Sequence, residues 1–202
     1  MKTASTKQKK VIKLLKSMGI IRPRDLDAFK IPRELLRRLC QSGLVQRVGH
    51  GLYRLPIPPI SEYYTLAEVC KSVPAGVVCL LSALRFHGLT TQAPHEVWIA
   101  VDNKGYVPKT MLPVRFVRFS GPALIDGVVV HKVEGVKIKI YCPAKTVADC
   151  FKYRNKIGLD VALEALREYM RAGNGSIDEL WHYAKICRVG VVMRPYLEAM
   201  AI

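Results

Sequence analysis

Residues 31–56, IPRELLRRLCQSGLVQRVGHGLYRLP, contain a helical pattern followed by two short alternating segments. Pro32 suits the first turn of a helix and Gly43 suits its end. Apolar side chains recur between them at helical spacing, at Leu35, Leu36, Leu39 and Cys40. Polar and charged side chains occupy the opposite face, at Arg33, Glu34, Arg37, Arg38 and Gln41. The pattern predicts a helix over residues 31–44 with an exposed face rich in guanidinium and amide groups.

The two alternating segments predict a small hairpin. LVQRV (44–48) and GLYRL (51–55) alternate apolar with polar side chains. Between them lie Gly49, His50 and Gly51, and glycine tolerates the positive φ angles of a tight turn. We expect the tip residues of this hairpin to be Arg47, His50 and Arg54.

Two further helices are predicted before this stretch. KQKKVIKLLKSMG (7–19) has apolar residues at helical spacing and ends on a glycine. RPRDLDAF (22–29) reads as a brief helix with a proline near its start. Three helices followed by a hairpin is the order of a winged helix-turn-helix. We therefore predict a DNA-binding domain of this kind over residues 1–55.

The distribution of charge supports a polyanionic partner. The 202 residues include 32 Lys and Arg against 16 Asp and Glu, for a net charge of +16. Residues 1–55 hold fourteen basic and three acidic residues, so this quarter of the chain carries +11 of the excess. A concentrated positive field attracts a polyanion, and nucleic acid is the expected one.

Candidate DNA-binding residues follow from the predicted elements. Arginine and glutamine can bridge two acceptors on a base edge, and both can also hold a phosphate. We expect base or phosphate contacts from the helix over residues 31–43, at Arg33, Glu34, Arg37, Arg38 and Gln41. Phosphate contacts are expected from Lys7, Lys9, Lys10 and Lys13 and from Arg47, His50 and Arg54 of the hairpin. For His50 an ordinary turn residue is the alternative.

PIPPI, residues 56–60, ends the hairpin, since proline cannot donate to a strand ladder and fixes φ. Three prolines in four positions form a stiff connector, and the domain boundary is predicted there. Residues 61–202 are then an α+β domain. Its predicted elements are helices at 61–73 and 77–88, strands at 95–102 and 113–120, a hairpin at 127–143 with Glu134 and Gly135 at its turn, and helices at 143–154, 159–173, 176–188 and 194–200. We expect a mixed domain with a small antiparallel sheet and flanking helices.

Several function classes lose support from the sequence. The six cysteines show no CxxC spacing and mostly have apolar neighbours, so we expect reduced, buried thiols and no metal site. No cofactor-binding or catalytic motif is found, and no cofactor is expected. The first twenty residues carry lysines throughout and do not form a signal peptide, and no apolar run is long enough to cross a membrane. We expect a soluble, cytoplasmic protein.

Three blocks of the chain resemble the AbiEi antitoxins of type IV toxin–antitoxin (abortive infection) systems. They are QSGLVQRVGHGLYRLP, LLSALRFHGLTTQAPHEVWIAV and VEGVKIKIYCPAKTVADCFKYRNKIGLDVALEALREYM, in the order of that family. The resemblance implies an N-terminal winged helix that binds and represses the promoter of its own operon, with repeated half-sites as its target. It also implies a C-terminal domain that counteracts a nucleotidyltransferase-like toxin without forming a stable complex with it.

Two other functions remain open from the residues. A stand-alone regulator, with a C-terminal domain that dimerises or binds a ligand, differs little in sequence from an antitoxin. A nuclease of the PD-(D/E)xK kind would need an acid and an acid-x-lysine pair on adjacent strands. Asp126, Glu134 and Lys137 come near this pattern, but the spacing from Glu134 to Lys137 is one residue too long.

Weaker candidates lie in the second domain. Cys142 and Cys150 with His131 suggest thiol chemistry, although core packing is favoured for both cysteines. Arginine and phenylalanine interleave at 115–119, as in RNA-stacking platforms, but a core Phe116 with a half-buried Phe119 is the simpler account. Basic residues that could serve antitoxin activity, or simply be solvated helix ends, are Lys145, Lys152, Arg154 and Lys156.

Overall fold

A computed structural model describes residues 6–49, 51–56, 63–108, 110, 112–173 and 175–200. The chain divides into two compact units. The first unit comprises residues 1–74, 108–112 and 131–138, and the second comprises residues 75–107, 113–130 and 139–202.

The first unit begins with the elements predicted for a winged helix. In chain order the elements of this unit are α1 (Thr6–Met18), β1 (Ile20–Ile21), a 3₁₀ helix (Pro23–Phe29), α2 (Glu34–Gln41), β2 (Gln46–Gly49), β3 (Leu52–Arg54) and α3 (Tyr64–Ser72). Its core is aliphatic and drawn from the three helical segments, β1 and the neighbouring loops, at Val11, Leu15, Ile21, Leu26, Ile31, Leu36, Leu39 and Val45. The helical periodicity of the sequence therefore places the buried faces correctly.

The wing sheet has a third strand that the sequence pattern does not predict. The order is β1-β3-β2, with Ile20 opposite Arg54 and Ile21 opposite Tyr53, both pairs antiparallel. Two residues are too few to show an alternating pattern, so β1 is defined only by its pairing with β3. The β2–β3 hairpin forms as predicted, and Gly51 takes the positive φ (69°) that its tight turn requires.

The helix α3 lies in the first unit, whereas the sequence pattern assigns it to the second domain. Lys71 Nζ on α3 lies 2.8 Å from Asp25 Oδ2 of the 3₁₀ helix, and the Arg22 guanidinium donates to the Lys71 carbonyl oxygen. The compact units divide after Pro74 rather than at residues 56–60. Residues 57–60 of the predicted linker lie outside the described residues, so the linker stays a prediction.

The second part of the chain is mixed helix and strand, as predicted. Its elements are β4 (Val77–Val78), α4 (Leu80–Phe86), β5 (Val97–Asp102), β6 (Val114–Phe119), α5 (Pro122–Ile125), β7 (Val128–Val133), β8 (Val136–Tyr141), α6 (Pro143–Lys152), α7 (Arg154–Ile157), α8 (Leu159–Arg171), α9 (Ile177–Ile186) and α10 (Gly190–Met200). Glu134 and Gly135 form the turn between β7 and β8, both with positive φ. Ser176 caps α9, and its hydroxyl accepts from the backbone N–H groups of Asp178 and Glu179.

The five-stranded sheet has the order β6-β5-β4-β8-β7 and is mixed, not antiparallel as expected. The strand β4 runs antiparallel to β5 but parallel to β8, and β5 runs parallel to β6. The connection between β5 and β6 is long enough to return the chain to the same end of the sheet, so the two strands need not form a hairpin. Strand direction depends on that crossover, which the alternation pattern does not record.

Candidate nucleic-acid interface

The exposed face of α2 carries the polar side chains that the sequence predicts. Leu36 and Leu39 are 1 % exposed and anchor the helix, while Glu34, Arg37, Arg38 and Gln41 are all exposed to solvent. Three to four residues make one helical turn, so these four side chains share one face opposite the buried leucines. The face presents guanidinium and amide donors of the kind that read base edges.

Intramolecular contacts orient two of the arginines. Arg37 Nε lies 3.2 Å from Glu34 Oε1, an i,i+3 pair with both side chains mostly exposed. Arg33, just before α2, makes a bidentate pair with Asp27 of the 3₁₀ helix. This hydrogen bond lowers the pKa of Asp27 and raises the pKa of Arg33. Among the described residues, Arg38 has no carboxylate partner, so its guanidinium is available to an outside acceptor.

Three lysines of α1 lie beside the end of α2. A groove of about 400 Å³ has Ile12, Leu39 and Leu44 as its apolar lining, and its polar lining is Gln8, Lys9, Lys13 and Lys16. The predicted Lys9 and Lys13 are therefore brought together. Lys7 and Lys10 are exposed but do not line this groove. Lys16 was missed, although its spacing of three residues from Lys13 and seven from Lys9 places it on the same helical flank.

The wing places its predicted residues differently. Arg47 is exposed on β2, and its Nε donates to the Gly49 carbonyl oxygen at 3.2 Å. His50 lies outside the described residues, so its contact stays a prediction. Arg54 is not a tip residue, because it pairs with Gln46 and Ile20 at the base of the hairpin.

The Arg54 side chain is turned toward α3. It is 19 % exposed, its Nη1 lies 3.9 Å from Glu68 Oε1, and its guanidinium carbon lies 4.9 Å from the centre of the Tyr64 ring. Its Nε also donates to Gln46 Oε1 at 3.1 Å. Burial raises the pKa of Glu68, and the charge of Arg54 opposes this shift. Arg54 thus opposes the charge of a buried carboxylate as an ion pair, which leaves fewer of its donors for a phosphate.

Among the basic candidates of the second unit, Lys145 was expected at the surface, and this prediction is wrong. It is 0 % exposed, and its Nζ lies 2.7 and 2.6 Å from the two carboxylate oxygens of Asp149. The ammonium also lies 4.1 Å from the centre of the Tyr141 ring and 5.0 Å from that of Phe119. Lys152 and Lys156 are exposed as expected, while Arg154 is half-buried.

Of the two thiol candidates, Cys150 is packed in the core as the sequence favours, whereas Cys142 is not. Cys150 is fully buried, and burial raises the pKa of its thiol well above the ordinary value, so it is a poor nucleophile. Cys142 is half-buried at the start of α6. Within the described residues, no three His, Cys, Asp or Glu side chains are grouped in a way that could hold a metal ion.

The structure also shows where the residues of the nuclease and RNA-binding alternatives lie. Glu134, the second acid of the nuclease pattern, lies at a turn with φ of 48°. In β6 the buried phenylalanine is Phe119, 4 % exposed and stacked between Tyr141 and Tyr153, whereas Phe116 is half-buried. The expected order of burial was therefore reversed. The alternation of residue types along β6 does not reveal which face of the strand packs against the helices.

Comparison with known proteins connects the first unit to a family. Residues 9–56 match the family described as "Transcriptional regulator, AbiEi antitoxin". The resemblance predicted from the sequence is confirmed over this N-terminal region, and it supports a DNA-binding regulator or antitoxin. No curated protein matches the chain.

A solved structure shares the fold over most of the chain. The RV2827C protein from Mycobacterium tuberculosis superposes with a TM-score of 0.60 at 13% sequence identity. The match covers 91% of this chain and 72% of that one. At this identity the likeness concerns the fold alone.

No helix within the described residues is both long and apolar enough to span a lipid bilayer.

Proposed function

From the match of residues 9–56 to AbiEi-type transcriptional regulators, we propose that this chain is a cytoplasmic autorepressor that binds the promoter of its own operon. The observation that carries the proposal is the exposed face of α2, where Arg37, Arg38 and Gln41 stand clear of the core while Leu36 and Leu39 fix the helix. In helix-turn-helix proteins the second helix of the motif enters the major groove. We place α2 in that role, with Arg33 and Glu34 at its entry.

The α1 lysines and the wing supply contacts that do not depend on sequence. Lys9, Lys13 and Lys16 lie on one flank of α1 beside the end of α2. The DNA phosphates that border the major groove would pass along this flank. Lys7, Lys10 and Arg47 are exposed and add to the positive field. We assign Arg54 a structural role instead, because its guanidinium is held by Glu68 and Tyr64.

We further propose that the chain is the antitoxin of a type IV system and counteracts a nucleotidyltransferase-like toxin. The description of the matched family, which names an AbiEi antitoxin, supports this role. No stable complex with the toxin is expected. Co-expression of the chain with a nucleotidyltransferase-like toxin of such a system should restore growth, whereas a tagged chain should not retain that toxin on a column. If growth is not restored, the antitoxin role is contradicted, while the repressor role is unaffected.

The repressor role is tested by the double variant Arg37→Ala/Arg38→Ala in a gel-shift assay on the chain's own promoter. Removing a bidentate interaction with a base costs about 1–3 kcal/mol, so affinity should fall by about fivefold or more. The matched control is Arg167→Ala/Arg171→Ala on α8, because Arg171 pairs with Glu168 at the same i,i+3 spacing as Arg37 with Glu34. Equal affinity of the folded α2 variant and the control would overturn the placement of α2.

A further inference from the structure

The strand β7 is an edge of the five-stranded sheet and begins with three consecutive valines. Val129 is 40% exposed and Val130 is 58% exposed. Successive side chains of a strand point to opposite faces, so apolar surface is exposed on both sides of this edge. A sheet edge also presents backbone donors and acceptors that can pair with another strand.

The other edge of the same sheet is protected by charge. On β6, Arg115 Nε lies 3.0 Å from Glu96 Oε2, and its guanidinium carbon lies 4.7 Å from the centre of the Trp98 ring. Arg118 Nη1 donates at 2.7 Å to the carbonyl oxygens of Asp102 and Gly105. Charged side chains of this kind prevent edge-to-edge pairing. Residues 128–130 of β7 contain no such charge.

We infer that β7 pairs antiparallel with β7 of a second copy of this chain. A two-fold axis brings identical strands together in an isologous contact, in which each copy supplies the same residues. With Val129 opposite Val129 of the second copy, Val128 lies opposite Val130. This register pairs valine with valine along the uncharged part of the strand, which gives the strand a reason to bind its own copy.

The two-fold pairing also separates the like charges. In the antiparallel arrangement the two Lys132 side chains lie at opposite ends of the paired strands, whereas parallel pairing would set them side by side. The inference does not rest on DNA binding, since all its contacts are between β7 strands. A dimer of this kind would carry two copies of α2.

The mass of the protein in solution, measured by sedimentation equilibrium without DNA, tests the inference. The wild type should approach twice the 22.7 kDa monomer mass as its concentration rises. Val130→Lys should weaken self-association at least about tenfold, because it places two charges in the pairing. The matched control is Val191→Lys on α10, where the valine is 87% exposed. A wild type that stays monomeric at every concentration, or equal effects of the two variants, would overturn the inference.

A cysteine at the two-fold axis tests the register. Paired residues of antiparallel strands have Cα atoms about 4.5–5.5 Å apart, which a disulfide can bridge. Val129→Cys should therefore give a covalent dimer on mild oxidation, while Val191→Cys and the wild type, with its six native cysteines, should not. No excess of covalent dimer in Val129→Cys over these two controls would contradict the proposed register.

Discussion

Arg54 Nη1 lies 3.9 Å from Glu68 Oε1, and this contact joins the last strand of the wing to α3. The two side chains are 19% and 10% exposed, so neither is freely solvated. The pair explains why α3 belongs to the first compact unit although three prolines stand between it and the hairpin. A residue expected to touch DNA is thereby used to hold the unit together.

Replacing Arg54 with alanine should destabilise the protein more than it weakens DNA binding. The change leaves the buried Glu68 carboxylate without its cation, and a buried polar group that loses its partner costs about 1–3 kcal/mol. Arg47→Ala, on the neighbouring and exposed strand position, should leave the free energy of unfolding within about 0.5 kcal/mol of the wild type. Urea denaturation of both variants measures the difference, and equal stability would contradict a structural role for Arg54.

The α1 lysines should determine how strongly DNA binding depends on salt. Each phosphate that a variant no longer neutralises should reduce the slope of log affinity against log salt by about 0.9. Lys9→Ala/Lys13→Ala/Lys16→Ala should therefore flatten the slope and weaken binding to all sequences alike. Fluorescence anisotropy with promoter and unrelated duplexes over a series of salt concentrations measures both effects. An unchanged slope would show that this flank of α1 does not face the phosphates.

The buried pair of Lys145 and Asp149 should make one variant strongly dependent on pH. Burial raises the pKa of Asp149 to about 6, even though Lys145 opposes the shift. A carboxyl whose pKa is raised in the folded state stabilises the fold most at pH values below its pKa in the unfolded chain. That stabilisation is lost as the pH rises through the folded-state pKa. Lys145→Met removes the opposing charge, so its stability should fall more steeply than that of the wild type between about pH 4 and pH 8.

Chemical denaturation at several pH values tests this prediction. At pH 8 the cost of Lys145→Met should reach about 3–5 kcal/mol, the range for breaking a buried ion pair. Adding Asp149→Asn removes the uncompensated charge and should recover part of that loss. A pH-independent cost, or no recovery in the double variant, would contradict the assignment of the penalty to the Asp149 carboxylate.

Glu164 should stabilise the second unit in the opposite pH range. Its carboxylate accepts hydrogen bonds from Thr90 Oγ1 at 3.1 Å and from Thr91 N and Thr91 Oγ1 at 2.8 and 3.0 Å. These bonds, first that from the Thr91 backbone, lower the pKa of Glu164 from its ordinary 4.5. A carboxyl whose pKa is lowered in the folded state stabilises the fold at pH values above its pKa in the unfolded chain. That stabilisation is lost as the pH falls through the folded-state pKa.

Glu164→Gln should therefore cost about 1 kcal/mol near neutral pH, because charge-assisted hydrogen bonds become ordinary ones. The difference from the wild type should shrink as the pH falls below the ordinary glutamate range. Thermal unfolding at pH 7 and at acid pH measures it, with Glu198→Gln on α10 as an exposed control. A difference that stays constant with pH would show that the Glu164 charge is not involved.

The sequence by itself determined the local elements of this protein. Periodic leucines and valines define α1 and α2, the glycines at 49 and 51 define the hairpin, Glu134 with Gly135 defines a turn, and Ser176 caps α9. Each of these depends on residues close together in the chain, so their spacing suffices. The exposed polar face of α2, which carries the proposed function, is of the same kind.

Only the tertiary structure decided which residues distant in the sequence meet. β1 is a strand because β3 pairs with it, β5 and β6 are parallel because a crossover returns the chain, and Arg54 is engaged because Glu68 of α3 reaches it. Lys145 reads as a surface lysine until Tyr141 and Phe119, from two different strands, close over it. Burial and charge pairing depend on partners distant in sequence, and a local pattern of residue types does not record those partners.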